Sequence, residues 1–310
     1  MSSTLHTAGR VADDPWSSWL NHRRDGGDPA IRARVADETA AFAGKLLNLA
    51  PATPAAMLDI GSGAGLVAWA ALARWPHLTV TLTDISAPLL AQAETEAQAR
   101  RVSHQCRFLH SGAEGLPGAE AAAYDLVTSR SAIAYAADKT AAFRAAFRVL
   151  RPGGALCIAE PLFHEEALAA RALRNLTETS ADPLLPLLHK WKAAQFPDTE
   201  ATAQANPLTN YTERDMLGFA RQAGFGELHL ELHIDERPAP KRDWAAFCAT
   251  APHPLAPPLT EILATRFTPA ERARFETALR PSIEGGKFMT TSRMLYLRGR
   301  KPLTARLGVA

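Results

Sequence analysis

Cysteine is scarce. Three residues, Cys106, Cys157 and Cys248, stand far apart in a chain of 310, too few and too scattered for a disulfide framework or a paired zinc site. That fits a reducing compartment, and all three thiols are expected in or near the core. Long apolar runs are missing as well: no segment approaches the ~20 residues of a membrane span. The opening MSSTLHTAGRVADDPW has no apolar stretch after a basic region, so no secretion signal is expected and the cytoplasm is the default location. Neither sign of charge is in surplus, since 34 basic and 32 acidic residues leave a formal net charge of +2. A polyanion partner or an acidic membrane surface is not implied. The short runs His22-Arg23-Arg24 and Lys241-Arg242 read as solvated surface.

What is present is enough apolar residue to build a full core, 47% of the chain, arranged in two textures. From Pro29 to Ala50 the positions Ile31, Val35, Phe42, Leu46 and Leu49 recur at helical spacing after a Gly-Gly-Asp-Pro turn signal. Between Ala55 and Glu160, short apolar runs alternate with helical stretches, the pattern of βα units around a parallel sheet. Strands are expected near 57–60, 79–83, 107–110, 125–129 and 155–160, with helices over 66–75, 87–101 and 138–150. Beyond Glu160 the chain becomes rich in Leu, Ala and Pro, with a helical excursion at 184–195. Thr212-Glu213-Arg214-Asp215 has the form of a helix start. The alternation of Leu228, Leu230, Leu232 and Ile234 predicts a strand, and Met294–Arg298 a last one. Between these two strands an insertion of unusual length, about 238–287, carries an amphipathic helix around 270–279.

The first strand, Met57-Leu58-Asp59-Ile60, runs straight into Gly61-Ser62-Gly63-Ala64-Gly65 and then a helix. Glycine there permits a tight turn whose amides approach a ligand at the carboxyl edge of the sheet. Such a turn alone is weak, because any close strand-to-helix connection can use glycine. Asp84, however, ends the second strand, where a carboxylate can accept hydrogen bonds from vicinal ribose hydroxyls. Asp59, the Gly-x-Gly-x-Gly spacing and Asp84, followed by Ser111-Gly112-Ala113-Glu114 and Leu150-Arg151-Pro152-Gly153-Gly154, resemble the class I S-adenosylmethionine-dependent methyltransferases, over about 55–160. The resemblance implies a Rossmann-like, doubly wound α/β sheet of seven strands, mostly parallel with an antiparallel last strand, plus helical cap segments. It implies S-adenosyl-L-methionine as cofactor. Asp59 would lie near the methionine moiety, Gly61, Ser62, Gly63 and Gly65 beneath the cofactor, and Asp84 on the ribose. Ile85, Ala113 and Glu114 would flank the adenine, with Ser129 also at the cofactor. A nicotinamide oxidoreductase is the rival for the fold, but Gly-x-Gly-x-x-Gly and a second nucleotide-binding half are absent.

The acceptor side is less determined. Methyl transfer needs in-line approach and exclusion of water, and a general base only for some acceptors. The fourth strand ends Thr128-Ser129-Arg130-Ser131 rather than Asn/Asp-Pro-Pro-Tyr, which argues against nucleobase or glutamine amino groups. RNA would call for a basic face. A small molecule is therefore expected, with oxygen, nitrogen, sulfur and carbon nucleophiles all open. Arg130, Tyr135 and His164 are the candidate catalytic residues, respectively to orient an anionic group, to hydrogen-bond the acceptor and to take a proton. Trp16, Trp19, Trp191 and Tyr211 are candidate substrate-binding residues, in segments able to fold over the cofactor. No metal site is expected. The organisation that follows is an N-terminal helical cap at 1–50, a methyltransferase domain at 51–300 with cap insertions at about 161–211 and 238–287, and a tail at 301–310. The cap and the 238–287 insertion are expected to form a lid or a homodimer contact. A domain that binds the cofactor without turnover, as a sensor or partner subunit, is the alternative.

Overall fold

The computed structural model describes residues 14–50 and 53–303. Residues 1–13 of the expected cap and 304–310 of the expected tail lie outside them. Asp14 opens the described chain as the cap of α1 (Pro15–Ser18), accepting from the Trp16 and Ser17 amides, and a π-helical turn at Trp19–Arg23 follows. Asp28 then caps α2 (Pro29–Asn48), with proline in the first turn where its missing N–H costs nothing.

The apolar runs form the expected strands, β1 (Ala56–Ile60), β2 (Thr79–Asp84), β3 (Cys106–His110) and β4 (Tyr124–Arg130). Between them lie α3 (Leu66–Arg74), α4 (Ala87–Ala99) and α5 (Lys139–Val149). β5 (Leu150–Pro161) is longer than expected. Its pairing with β4 jumps from Tyr124↔Leu150 to Leu126↔Ala155, so the Arg-Pro-Gly-Gly turn is an excursion within one strand. Three helices occupy the next stretch, α6 (His164–Thr179), α7 (Leu185–Lys192) and α8 (Glu200–Ala205), where only one excursion was expected. The Thr212 capping box starts α9 (Glu213–Gln222). β6 (Gly226–Pro238) leads into α10 (Trp244–Cys248), α11 (Leu259–Arg266) and α12 (Pro269–Gly285), and β7 (Met289–Arg300) returns.

The sheet has seven strands in the order β3-β2-β1-β4-β5-β7-β6, with β1 to β5 parallel and β7 antiparallel to both neighbours. The chain reverses its winding direction between β1 and β4, which opens a crevice at their carboxyl ends. β7 pairs with β5 only from Met294 onward, while β6 and β7 stay paired out to Pro238↔Met289. The surplus is a two-stranded ribbon projecting past the carboxyl edge, and α10 to α12 hang from its tip. A long insertion is thereby carried to the edge where a ligand would lie.

Because side chains alternate along a strand, Leu58 and Ile60 enter one core with Phe143 and Met216, while Met57 enters another with Val67, Leu82 and Tyr296. A third cluster holds the cap together around Trp244, Ile262 and Phe275. The three cysteines are unpaired, and burial pushes the thiols of Cys157 and Cys248 up to about 12. Among the described residues no helix is long and apolar enough to cross a membrane.

Candidate functional site

A chamber of about 930 Å³ occupies the crevice, near the upper end of the ~300–1,000 Å³ typical of ligand clefts. Its floor is the turn after β1. Gly61, Gly63 and Gly65 hold φ of +64°, +55° and +89°, the left-handed region that penalises a Cβ. They differ in surroundings. A Cβ on Gly61 would stand 2.2 Å from Ala132 Cβ, and one on Gly65 2.4 Å from the Trp69 ring. On Gly63 it would meet nothing nearer than Leu20 Cδ2 at 3.9 Å. The outer glycines are demanded by packing; the middle one faces open chamber.

Asp84, at the end of β2, is buried, with Oδ2 accepting from the Gly63 amide and Oδ1 from the Ser86 amide, both at 2.8 Å. Burial raises its pKa against these bonds. Asp59 accepts from Thr128 Oγ1 at 2.7 Å through Oδ1, while its Oδ2 is sealed in the wall without a donor. Burial pushes this carboxyl up to about 7, with the Asp84 charge adding to the effect. Ile85 is 50% exposed, an apolar flank to the same space. Beside it run Ser111, Ala113 and Glu114, the last also accepting from the Asp138 amide at 2.8 Å.

Arg130 leaves β4 on the same face as Thr128, with its guanidinium carbon 5.5 Å from the centroid of Phe42. Its Nε has no acceptor and burial lowers its pKa, with Arg24 adding repulsion. Tyr135 also lines the chamber, with Trp16 edge-on to it at 4.8 Å; burial and the Glu160 charge push its phenol well up. The loop carrying Tyr135 is pinned from below. Glu160 accepts from Ser129 Oγ and from the amides of Ala132, Ile133 and Ala134, and burial raises its pKa.

The roof is the N-terminal cap. Trp16, Trp19, Leu20 and Arg24 line the chamber, and Trp19 Nε1 donates to the Ala251 carbonyl of the insertion at 2.9 Å. Of the basic runs read as solvated surface, His22 and Lys241 are exposed but the three arginines are not. Arg23 donates to the carbonyls of Ala256, Pro254 and Pro15, and Arg24 Nε is buried without an acceptor. Arg242 likewise turns inward to the Asp25 carbonyl at 3.1 Å. Arginine turned inward to backbone carbonyls looks like surface charge in a sequence, because polarity alone does not reveal which carbonyls need donors.

Several expected site residues lie elsewhere. His164 heads α6 with Nδ1 2.9 Å from the Thr209 carbonyl, and no histidine is among the described residues lining the chamber. Ser129, one residue out of phase with Arg130, faces Glu160 on the other side of the sheet. Tyr211 is 1% exposed in the core, its hydroxyl donating to the Pro161 carbonyl at 2.5 Å. Trp191 belongs to the cap cluster. Gly65 caps α3 just outside the chamber wall. Glu160 and Arg24 were missed. The signal for Glu160 was there: a lone carboxylate ending the apolar run Ala-Leu-Cys-Ile-Ala must find donors.

Residues 57–154 match the methyltransferase domain family. The chain is 25% identical over 178 residues to the ubiquinone/menaquinone biosynthesis C-methyltransferase of Ruegeria sp., covering 57% of this chain and 68% of that protein. It is 31% identical over 102 residues to the tRNA 5-carboxymethoxyuridine methyltransferase of Escherichia coli, covering 33% of this chain and 38% of that one. A solved structure from Bacillus halodurans, 18% identical, aligns with a TM-score of 0.52 over 84% of this chain and 99% of its own, a likeness of fold.

Proposed function

We propose that this chain, a class I S-adenosylmethionine-dependent methyltransferase, transfers the methyl group to a small acceptor enclosed between the glycine turn and the N-terminal cap. The residues present fit the donor. A carboxylate has about four acceptor positions, so Asp84 keeps two for a ribose diol after its two amide bonds. The unpartnered Oδ2 of Asp59 suits an ammonium, Gly63 leaves its side of the turn open, and Ile85 offers an apolar face to adenine. The donor supplies an electrophilic methyl on sulfonium sulfur and leaves as a neutral thioether.

The observation that carries the reading is that Asp59 and Asp84, on neighbouring strands, face one roofed chamber across an open glycine. What the chain's own groups do there is position and dry the acceptor. Two carboxylates at its rim are ion-paired, Glu38 with Arg34 and Arg237 and Glu96 with Arg100. No histidine is among the described residues of the wall and the Tyr135 phenol is held protonated, so the carboxyls of Asp59 and Glu114 are the proton acceptors the wall offers. Transfer proceeds by proximity and orientation, with Tyr135 donating to the acceptor. Phe42 and Trp16 exclude water around it. A roof tied down at Trp19 and Arg23 supports a small molecule over a nucleic acid, and three unpaired cysteines agree with a cytoplasmic setting. Calorimetry with S-adenosylhomocysteine, then mass spectrometry of cell extract incubated with isotopically labelled donor, tests both halves. Binding with a labelled small product is expected. Binding without any labelled product would favour the cofactor sensor.

A further inference from the structure

A second cavity, of about 380 Å³, lies among the N-terminal cap, α7 and the 238–287 insertion. It shares Trp19, Arg24 and Pro252 with the wall of the main chamber, and neither the five parallel strands nor the glycine turn contributes to it. Aromatic and aliphatic groups, Trp191, Phe247 and Leu259, form most of its surface. Three of its lining residues carry a buried N–H without an acceptor: Arg24 at Nε, Arg242 at Nε and Trp191 at Nε1. No carboxylate is among the described residues lining it. The nearby Asp25 is committed to Arg32 and to the Gly27 amide, both at 2.8 Å.

Buried donors without acceptors are rare in folded proteins, and those that persist call for a reason. Two guanidinium groups and an indole N–H around a largely apolar space make a receptor for an organic anion, the guanidinium fork matching a carboxylate. We infer that this cavity holds the carboxylate of an aromatic acid, and that this acid is the methyl acceptor, reaching past Trp19 and Arg24 into the main chamber. The inference rests on the methyl-transfer reading. Arg24 stands at the junction and Arg242 only in the second cavity, so substitution at Arg242 separates acceptor recognition from donor binding.

Benzoate and its neutral isostere benzamide are the probes, titrated by tryptophan fluorescence against the protein with and without saturating S-adenosylhomocysteine. Benzoate is expected to bind at least about tenfold tighter than benzamide. Arg242→Gln should weaken benzoate by roughly tenfold or more, and Trp191→Phe by a few-fold, with S-adenosylhomocysteine affinity unchanged in both. Unchanged donor-site affinity also shows that the variants are folded. Equal binding of the two probes, or benzoate binding that ignores both substitutions, overturns the site. In the labelled extract, the products of the wild type should be retained on anion exchange and depleted with Arg242→Gln; neutral products made equally by both overturn the acceptor assignment. Failure of S-adenosylhomocysteine to bind the wild type would strike the methyl-transfer reading instead, and the benzoate preference of the free protein would still be read.

Discussion

Two carboxylates within one wall face opposite demands. Asp84 is an acceptor four ways, with two positions taken by the Gly63 and Ser86 amides. Asp84→Asn must turn its NH₂ toward one of those N–H groups or toward the diol, so it should behave nearly as badly as Asp84→Ala. At about 1.5–3 kcal/mol for a hydrogen bond to a charged group, S-adenosylhomocysteine affinity should fall roughly 10- to 150-fold in a calorimeter, and an asparagine variant within twofold of wild type would refute the role. Asp59 poses the opposite problem, since burial has pushed it up to about 7. For a carboxyl whose folded pKa exceeds its unfolded ~3.9, the neutral form is the one that folding favours. That stability is complete below about pH 4 and is lost as pH rises through about 7. An ammonium needs the ionised form, so affinity should run the other way, falling roughly tenfold per unit below pH 7. Asp59→Asn should flatten both profiles: thermal stability of the free protein between pH 5 and 8, and donor-site affinity over the same range.

At the level of elements, the turn after β1 separates what folding needs from what binding needs. Gly63→Ala bears only the left-handed cost of about 1–2 kcal/mol, since its Cβ would find space, but that space is the one we propose for the ligand. Gly61→Ala and Gly65→Ala add overlap with Ala132 and Trp69, and should cost about 2–5 kcal/mol in urea unfolding. The expected order is therefore Gly63 least damaging to stability and the most damaging to affinity per unit of stability lost. Glu160→Gln replaces one acceptor oxygen with a donor facing the amides of residues 132–134. It should cost about 2–4 kcal/mol and lower turnover by unseating Tyr135 more than it lowers donor affinity. This part of the molecule was legible in sequence because strand, turn and helix there are set by residues adjacent in the chain. The cap was not. α10 and α11 are short, and what fixes them is burial of Trp244 and Ile262 against Phe275, contacts that no local period encodes. His164 shows the same limit: its position after β5 was correct, but its ring is taken up by the Thr209 carbonyl, 45 residues further along the chain. Strand alternation could have excluded Ser129 once Arg130 was placed in the wall, since neighbours on a strand point to opposite faces.

Across the whole molecule, the chamber is closed by two segments more than two hundred residues apart in sequence, the N-terminal cap and the insertion on the β6–β7 ribbon. Arg23 is their main tie, its guanidinium donating to Ala256 and Pro254 from one segment and Pro15 from the other, reinforced by the Ala251 amide donating to the Arg23 carbonyl at 2.9 Å. Few large apolar groups of residues 14–28 are buried deeply, so the cap is held by these polar ties more than by a core of its own, which marks it as an element of low local stability. We propose that it is the gate through which a ligand enters. Arg23→Met keeps the stem and removes the donors, and should loosen the cap by roughly 2–4 kcal/mol while leaving the sheet intact. S-adenosylhomocysteine should then dissociate at least about tenfold faster in stopped flow, with a smaller change in association because the floor of the site is unaltered. Hydrogen exchange should report faster opening of residues 16–24 and unchanged protection of β1 and β4. If dissociation stays at the wild-type rate while those amides open faster, the cap is not the gate and the ligand escapes by another side of the chamber.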